Sequence, residues 1–543
     1  MAHLSGKRVL ILYSGLILSF AVVVCRLFWL CANRTYAARA EAQSVVTLDL
    51  PVRRGNFYDC EDRPLTGLTM GWDALCLPGT GSYDRLYPYT DEEGQARLYQ
   101  KRNVHTPFLL EVNTDVSALG IRCYPFARRY GNAPVCAQLL GYCGSDGRGI
   151  AGLEAALDSL LAGSGLGDSV RCEVTAQGTL RAGTEPQLLR QDSGGQGVRL
   201  TISREIQRAV EGVADQTMTT GCVVVLNTAN AAVRACVSLP GFDPEDVAAS
   251  LEEENSPLVN RAFQSYAVGS VFKPVLAAAA LETGKSGLAY DCPGYLVVDG
   301  QIFRCAGGIP HGTVDLAAAL EKSCNGYFIR LGQVLGVETV RRMAERLGFG
   351  KALELTENYR TSAGTLPEPE ALTSSGQYAN FCFGQGELMA TPIQIAGMMN
   401  AAASDGKYRT PQILTAVLDE TTGEELGTLS HWNGERAFSA GTAERLRTLL
   451  AGVVAEGTGQ DATPPEGTAG GKTGTAQTGQ FDPEGRELKN YWFAGFWPAD
   501  HPRYTIVVMQ DAQRDPPVSS AAVFAQICGA LAGLLPQSTL SGR

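Results

Sequence analysis

The stretch EGTAGGKTGTAQTG, Glu466 to Gly479, admits two readings, and each implies a different fold. A phosphate-binding loop has the form G-x-x-x-x-G-K-[ST], so that backbone N–H groups curl around the phosphates ahead of a helix N-terminus. Counting back from Gly471, the first glycine of that pattern falls on Glu466, and the nearer Gly467 leaves the loop one residue short. The next residues, Thr475-Ala476-Gln477-Thr478-Gly479, are small and turn-rich, unlike the apolar start of a helix. The phosphate-loop reading is therefore weak, and whether Lys472-Thr473-Gly474, placed just before a strand-rich end, is instead the edge of a site that handles peptides depends on the rest of the chain.

Working outward, the chain has 543 residues, 45% of them hydrophobic and 19% charged, which is ordinary for globular protein and long for one domain. A net charge of −11 without any run of Lys or Arg gives no electrostatic footprint for nucleic acid, and that partner class is excluded. Near the N-terminus, Lys7-Arg8 precedes an apolar stretch from Val9 to Ala32 broken only by Arg26. That is about the ~20 residues a membrane-spanning helix needs. Ala38-Arg39-Ala40 imitates a signal-peptidase site, but the apolar stretch exceeds the roughly 7–15 residues of a secretory signal, so a retained anchor is expected. The organisation read from this is a cytoplasmic tail at 1–8, a single-pass anchor at 9–32 and an extracytoplasmic remainder in the cell membrane.

The fifteen cysteines contain no C-x-x-C and the five histidines are scattered, so no metal site has ligand spacing to stand on, and neither a metal nor a cofactor is expected. CPGYLVVDGQIFRC, Cys292 to Cys305, reads as two β-rich runs around an Asp299-Gly300 turn. With a two-residue turn the two cysteines fall on one face as diagonal neighbours. A bulge brings them within bonding range, so Cys292–Cys305 is a candidate disulfide, beside the plainer reading of two small buried residues.

Residues 40–197 mix Gly, Pro and charge and read as one irregular, β-rich N-terminal module ending in the loose QDSGGQG, Gln191 to Gly197. From 198 to 538 the texture is regular. VRLTI is a strand, Ser203 caps a helix, and GCVVVLNT (221–228) is a buried strand paired with RACVSLPGF across Asn230-Ala231. Apolar helices follow at 274–283 and 314–335, and the chain closes with strands WFAGFWPA and YTIVVMQD and a helix from Ser519. Strands at both ends with helices between give an α+β fold, an antiparallel sheet backed by helices.

The chemistry falls in this second region. Ser270 stands at the start of an apolar helix with Lys273 three residues on and on the same face. A hydroxyl is a poor nucleophile until a base takes its proton, and a desolvated lysine with a lowered pKa is such a base. Ser404-x-x-Lys407 and Lys285-Ser286-Gly287 repeat fragments of the pattern by chance. The ordered set Ser270-x-x-Lys273, Ser323-Cys324-Asn325 and Lys472-Thr473-Gly474 is harder to make by chance. It supplies nucleophile, amine, hydroxyl relay, amide and a second cation.

This set resembles the penicillin-binding and serine β-lactamase superfamily with its S-x-x-K, S-x-N and K-T-G elements. RRGNFYDCEDRPLTG (53–67), GIAGLEAALDSLLAG (149–163), VRLTISREIQ (198–207), VNRAFQSYAVGSVFKP (259–274), GQGELMATPIQIA (384–396) and GGKTGTAQ (470–477) are similar to class B penicillin-binding proteins. The resemblance implies a transpeptidase domain behind a pedestal-type module, and a D-Ala-D-Ala transpeptidase that cross-links peptidoglycan stem peptides and is acylated by β-lactams. It implies Ser270 as nucleophile, Lys273 as base, Ser323 as proton relay and Asn325 as the amide that orients the acyl chain. Lys472 and Thr473 would hold the terminal carboxylate, Gly474 would leave room for substrate, and the N–H groups of Ser270 and Thr475 would form the oxyanion hole. A SEDS-family glycan polymerase is the implied partner. Cys60 and Ser203 depart from the family's usual Arg and Asp, which puts in doubt subgroup and partner more than reaction.

Plainer readings stand beside these. Ser270 as a mere helix cap, Asn325 as a helix C-cap before Gly326, and Cys324 as buried filler are all open, and Tyr378-Ala379-Asn380, which imitates a Y-x-N element, reads as framework. A noncatalytic scaffold or β-lactam-responsive protein, and a D,D-carboxypeptidase, are the alternative functions.

Overall fold

The computed structural model describes residues 6–33, 44–77, 81–131, 133–163, 167–191, 194–430 and 434–535. Ala38-Arg39-Ala40, the first five residues of the expected tail and the last three of the expected 198–538 domain lie outside them. Gly6–Ala32 is one 27-residue helix, apolar enough to cross a membrane by length and composition.

The chain packs as two units interleaved in sequence. Among the described residues, one takes those up to Arg53, Thr69–Arg128 and those between 164 and 194; the other takes Arg54–Leu68, those between 129 and 163, and those from Gly195 onward. The expected linear module at 40–197 is therefore corrected. Phe57 and Tyr58 pair in parallel with Val198 and Arg199, and Leu139, Leu153 and Leu161 share one core with Leu200 and Val224. Glu154, fully buried, receives the guanidinium groups of Arg54 at 2.7 Å and Arg129 at 2.6 Å. Cutting Arg54–Leu68 away from 129–163 would leave the buried Glu154 carboxylate without its Arg54 partner, a cost of several kcal/mol.

The first unit is β-rich. Thr69–Cys76 is the centre of a three-stranded antiparallel sheet between Phe108–Val112 and Cys123–Arg128. Val45–Asp49, Ser169–Glu173 and Gln187–Leu189 form a second.

In the second unit, Ser203 accepts a hydrogen bond from the Ile206 N–H and starts helix α1, Arg204–Thr217. Strands β1 (Gly221–Asn227) and β2 (Val233–Leu239) follow as an antiparallel pair. Then come helices α2 (Lys273–Glu282), α3 (Leu316–Glu321), α4 (Asn325–Leu335), α5 (Pro392–Ala403) and α6 (Ala440–Ala455). Strands β3 (Gly470–Phe481), β4 (Glu487–Trp497) and β5 (Tyr504–Gln513) complete a five-stranded antiparallel sheet of order β2-β1-β5-β4-β3, and helix α7 (Ser520–Leu534) ends it.

Alternation explains why β1 is apolar throughout. Val223 and Val225 face a core layer with Val210 of α1 and Phe524 and Ile527 of α7, while Cys222, Val224 and Leu226 face the larger core that holds α2 and α5. The helix-backed antiparallel sheet read from the sequence is thus the fold of this unit. Segment 466–479 lies mostly in β3, an edge strand with no helix after it, which removes the phosphate-loop reading.

One expected element is corrected. The helix read at 314–335 is two helices, because the chain breaks at Ser323, whose φ of 52° lies in the left-handed region that no α-helix continues through. Asn325 consequently opens α4 instead of capping the end of a helix.

Candidate active site

Ser270 lies in a 3₁₀ turn, Gly269–Phe272, that feeds directly into α2. With about three residues per turn, side chains at i and i+3 eclipse, so Ser270 and Lys273 stack on one edge. The turn is fixed by close backbone approach on two sides. Gly269 has φ 59°, and a Cβ there would stand 2.6 Å from the Thr475 carbonyl oxygen; its N–H donates to the Gly384 carbonyl at 2.8 Å. Gly474 meets the same turn from the strand, where a Cβ would lie 2.9 Å from Val271 Cγ1 and 3.1 Å from the Val268 carbonyl oxygen. The room expected at Gly474 for substrate is, on the Cβ side, taken up by the turn that carries Ser270.

Lys273 is wholly buried and its ammonium donates to the Ser323 carbonyl at 2.7 Å, Ser323 Oγ at 3.1 Å and Asn325 Oδ1 at 2.7 Å. Burial pushes its pKa down to about 7. Lys472, also wholly buried, donates to the same Ser323 Oγ at 3.0 Å and to Thr473 Oγ1 at 3.3 Å. Burial first, and then the neighbouring Lys273 charge, hold its pKa well below the ordinary lysine value. Two amines on one hydroxyl repel each other as cations, which favours one of them neutral. The left-handed turn at Ser323 is what presents both its carbonyl and its hydroxyl to Lys273.

Along β3 the pleat alternates: Lys472, Gly474 and Ala476 are buried, Thr473 is half-buried and Thr475 is exposed. Lys472 thus lies beneath the strand while the two threonines face outward. Thr473 Oγ1 is 3.0 Å from Thr458 Oγ1, a neighbour that no motif marks. Asn325 also donates through Nδ2 to the Arg304 carbonyl at 2.9 Å. Tyr378 points away, its hydroxyl donating to the Gly332 carbonyl at 2.7 Å inside the core.

The cysteines behave differently from expectation. Cys292 and Cys305 are unbonded, with sulfurs 3.7 Å apart against about 2.05 Å for a disulfide. The hairpin is as expected, Tyr295–Val298 against Gln301–Arg304 around Asp299-Gly300, but its ladder stops at Tyr295↔Arg304. Cys292 lies beyond Pro293 and pairs with Gly312 instead. Two more groups share the space: His311 Nδ1 lies 3.6 Å from Cys292 Sγ, and Cys324 Sγ lies 3.9 Å from Cys305 Sγ. The reading that scattered cysteines and histidines bring no ligand set together is corrected. The linear spacing hid the cluster because a hairpin, a short loop and a strand followed by a helix separate its members.

Residues 221–529, more than half of the chain, match the family described as the penicillin binding protein transpeptidase domain. The chain belongs to that family. It is 31% identical to stage V sporulation protein D of Bacillus subtilis over 423 residues, covering 75% of this chain and 62% of the relative. It is 30% identical over 438 residues to the peptidoglycan D,D-transpeptidase PbpA of Mycolicibacterium smegmatis, covering 73% of this chain and 80% of that protein. A solved structure concerned with coordination of polymerization and crosslinking by a peptidoglycan synthase complex superposes with a TM-score of 0.70 at 25% identity, covering 98% of this chain and 99% of that one. The chain thus spans less than two thirds of the sporulation relative's length.

Proposed function

We propose that this chain is a membrane-anchored peptidoglycan D,D-transpeptidase that works through an acyl-enzyme on Ser270. The observation that carries the reading is Ser323 Oγ held between Lys273 Nζ and Lys472 Nζ, at 3.1 and 3.0 Å, beside the turn that bears Ser270. The names of the relatives support the reaction, and the anchor helix supports a membrane location; the chain after that helix is read as extracytoplasmic.

In this mechanism Ser270 Oγ attacks the carbonyl carbon of the penultimate D-alanine and its proton passes to neutral Lys273. The N–H groups of Ser270 and Thr475 hold the oxyanion, a role supported by the close approach of Gly269 to Thr475. As the C–N bond breaks, the proton travels by way of Ser323 to the leaving amine, D-alanine departs, and an ester remains on Ser270. An amine of a neighbouring stem peptide then attacks the ester, a new amide forms and Ser270 regains its proton. Asn325 orients the acyl chain from the Lys273 side. Thr473 and Thr475 meet the terminal carboxylate at the strand edge, and Lys472 acts from beneath, tuning Ser323 and Thr473, because its buried ammonium does not reach open space. β-Lactams acylate Ser270 as mimics. A glycan polymerase is the proposed partner, supported by the synthase-complex neighbour.

Intact-mass spectrometry after benzylpenicillin tests the reading. One adduct mapping to the peptide of Ser270 is expected, and an adduct retained by Ser270→Ala refutes the assignment. Product analysis with a D-Ala-D-Ala peptide and an amine acceptor separates transpeptidation from hydrolysis.

A further inference from the structure

We infer that Arg304 is a specificity residue of this site, its guanidinium pairing with a free carboxylate on the acyl donor, one or two residues ahead of the D-alanine that is transferred; the placement of the donor rests on the acyl-enzyme reading above. Asn325 fixes where Arg304 stands. Its amide spends Oδ1 on Lys273 at 2.7 Å and one Nδ2 proton on the Arg304 carbonyl at 2.9 Å. A primary amide nitrogen carries two protons, so the second remains for the acyl chain. Donor and Arg304 backbone then share one nitrogen, and an extended peptide advances only about 3.3–3.6 Å per residue beyond it.

The strand that bears Arg304 is tied at both ends. Arg304 stands opposite Tyr295 in the pairing of Gln301–Arg304 with Tyr295–Val298, and the Cys305 N–H donates to the Gly294 carbonyl at 2.9 Å. At the hairpin tip the Ser375 hydroxyl donates to Asp299. The pleat sends Phe303 inward and leaves Ile302 and Arg304 on the outer face beside Tyr295 and Val297, which with Ile302 are 43–51% exposed. Neighbouring cations are committed: Lys322 donates to the His311 carbonyl at 3.2 Å and Arg330 to Gln333 at 2.8 Å. Among the described residues, the Arg304 guanidinium has no hydrogen bond or ion pair. A planar guanidinium takes a carboxylate as a two-pronged pair, and the apolar surface around it removes water from one side, which strengthens that pair. An amide in the same place brings one acceptor oxygen and no charge.

The test uses the full-length chain in detergent, an amine acceptor, and two N-acetyl tetrapeptides ending in D-Ala-D-Ala, whose first two residues are both glutamate in one and both glutamine in the other. D-Alanine release should show kcat/KM about fivefold higher for the glutamate donor, the upper end for an exposed ion pair, with the difference carried by KM. Added salt should shrink that preference. Arg304→Gln should bring the ratio of the two donors near one, and Arg304→Lys should keep part of it, since a point charge replaces the fork. The ratio is insensitive to any loss of folded enzyme. A wild-type ratio near one, or a ratio that Arg304→Gln leaves intact, overturns the assignment. The second result is what a purely structural role would give, because a disturbed Asn325 slows both donors alike. The acyl-enzyme reading is scored separately: a wild-type chain with no benzylpenicillin adduct on Ser270 counts against it. Equilibrium binding of the two peptides to Ser270→Ala then decides Arg304, with tighter glutamate binding that Arg304→Gln removes supporting the pair and equal binding overturning it.

Discussion

The two walls of the site are built on different principles. On one side, β3 is a twelve-residue strand paired to β4, and Gly474 and Gly269 let it press on the Ser270 turn at backbone contact distance. Sheet hydrogen bonds and sterics leave that wall nowhere to move. On the other side, residues 290–325 run through short strands, a 3₁₀ turn and a helix break, and they end on Ser323 in a left-handed conformation. Such a residue costs of order 1–3 kcal/mol and persists only where its surroundings over-determine it. The proposed catalytic groups therefore divide into Ser270, held by main chain, and Ser323, held by side chains, with Lys273 joining the two.

The largest effect that breaks this picture falls on Ser270, the proposed nucleophile. Ser270→Ala should abolish the penicillin adduct while the far-ultraviolet circular dichroism stays unchanged. Next, Lys273→Ala should slow acylation by about 10²–10⁴-fold, the range for a missing general base. If Lys273→Ala acylates at the wild-type rate, the link between the walls is not the base. Gly474→Ala probes the rigid wall itself. Its Cβ would push on Val271 and on backbone at Val268, so acylation should fall about 10²-fold and stability by about 1–3 kcal/mol. Stopped-flow acylation and urea denaturation measure the two; a variant normal in both would show that the contact carries no strain.

The rigid wall was the legible one. Ser270-x-x-Lys273 and Lys472-Thr473-Gly474 sit where helix and strand periodicities are strong, and the sheet follows from apolar runs such as 221–228. The soft wall was legible only in part. Ser323 and Asn325 were found by their spacing, but the break between α3 and α4 was not, since Leu316–Leu335 is apolar enough to read as one helix and nothing local marks a left-handed serine. The Cys292, Cys305, His311 and Cys324 cluster was hidden for a related reason: its members meet only because the hairpin and loops fold back on α4. The interleaving of 54–68 and 129–163 with the second unit was also invisible, because a two-residue parallel pairing and a buried Glu154 leave no local pattern. The K-T-G spacing marks Lys472, but its burial beneath the strand follows from the pleat and not from the motif.

The pH dependence sharpens the role of the joining lysine. Burial lowers Lys273 to about 7, and the base form is the neutral amine, so its fraction grows as pH rises and levels off above that value. Acylation should therefore fall roughly tenfold per unit on the acid side of 7 and be flat above it. A rate that falls as pH rises through 7 would require the ammonium form and would remove Lys273 as base.

The smallest expected effect concerns Tyr378, which tests whether Tyr378-Ala379-Asn380 belongs to either wall. Its hydroxyl donates to the Gly332 carbonyl at 2.7 Å, and that carbonyl also accepts from the Gly336 N–H at 2.8 Å. Tyr378→Phe removes a donor without leaving the carbonyl unpaired, so the cost should sit near the lower end of the ~0.5–1.5 kcal/mol typical of one hydrogen bond. Asn380 serves the backbone in the same region, its carbonyl accepting from the N–H groups of Phe383 and Gln385 at 3.2 and 2.9 Å. Penicillin acylation of Tyr378→Phe should match wild type within twofold while the urea midpoint drops slightly. A large loss of acylation at unchanged stability would instead make Tyr378 a working part of the site.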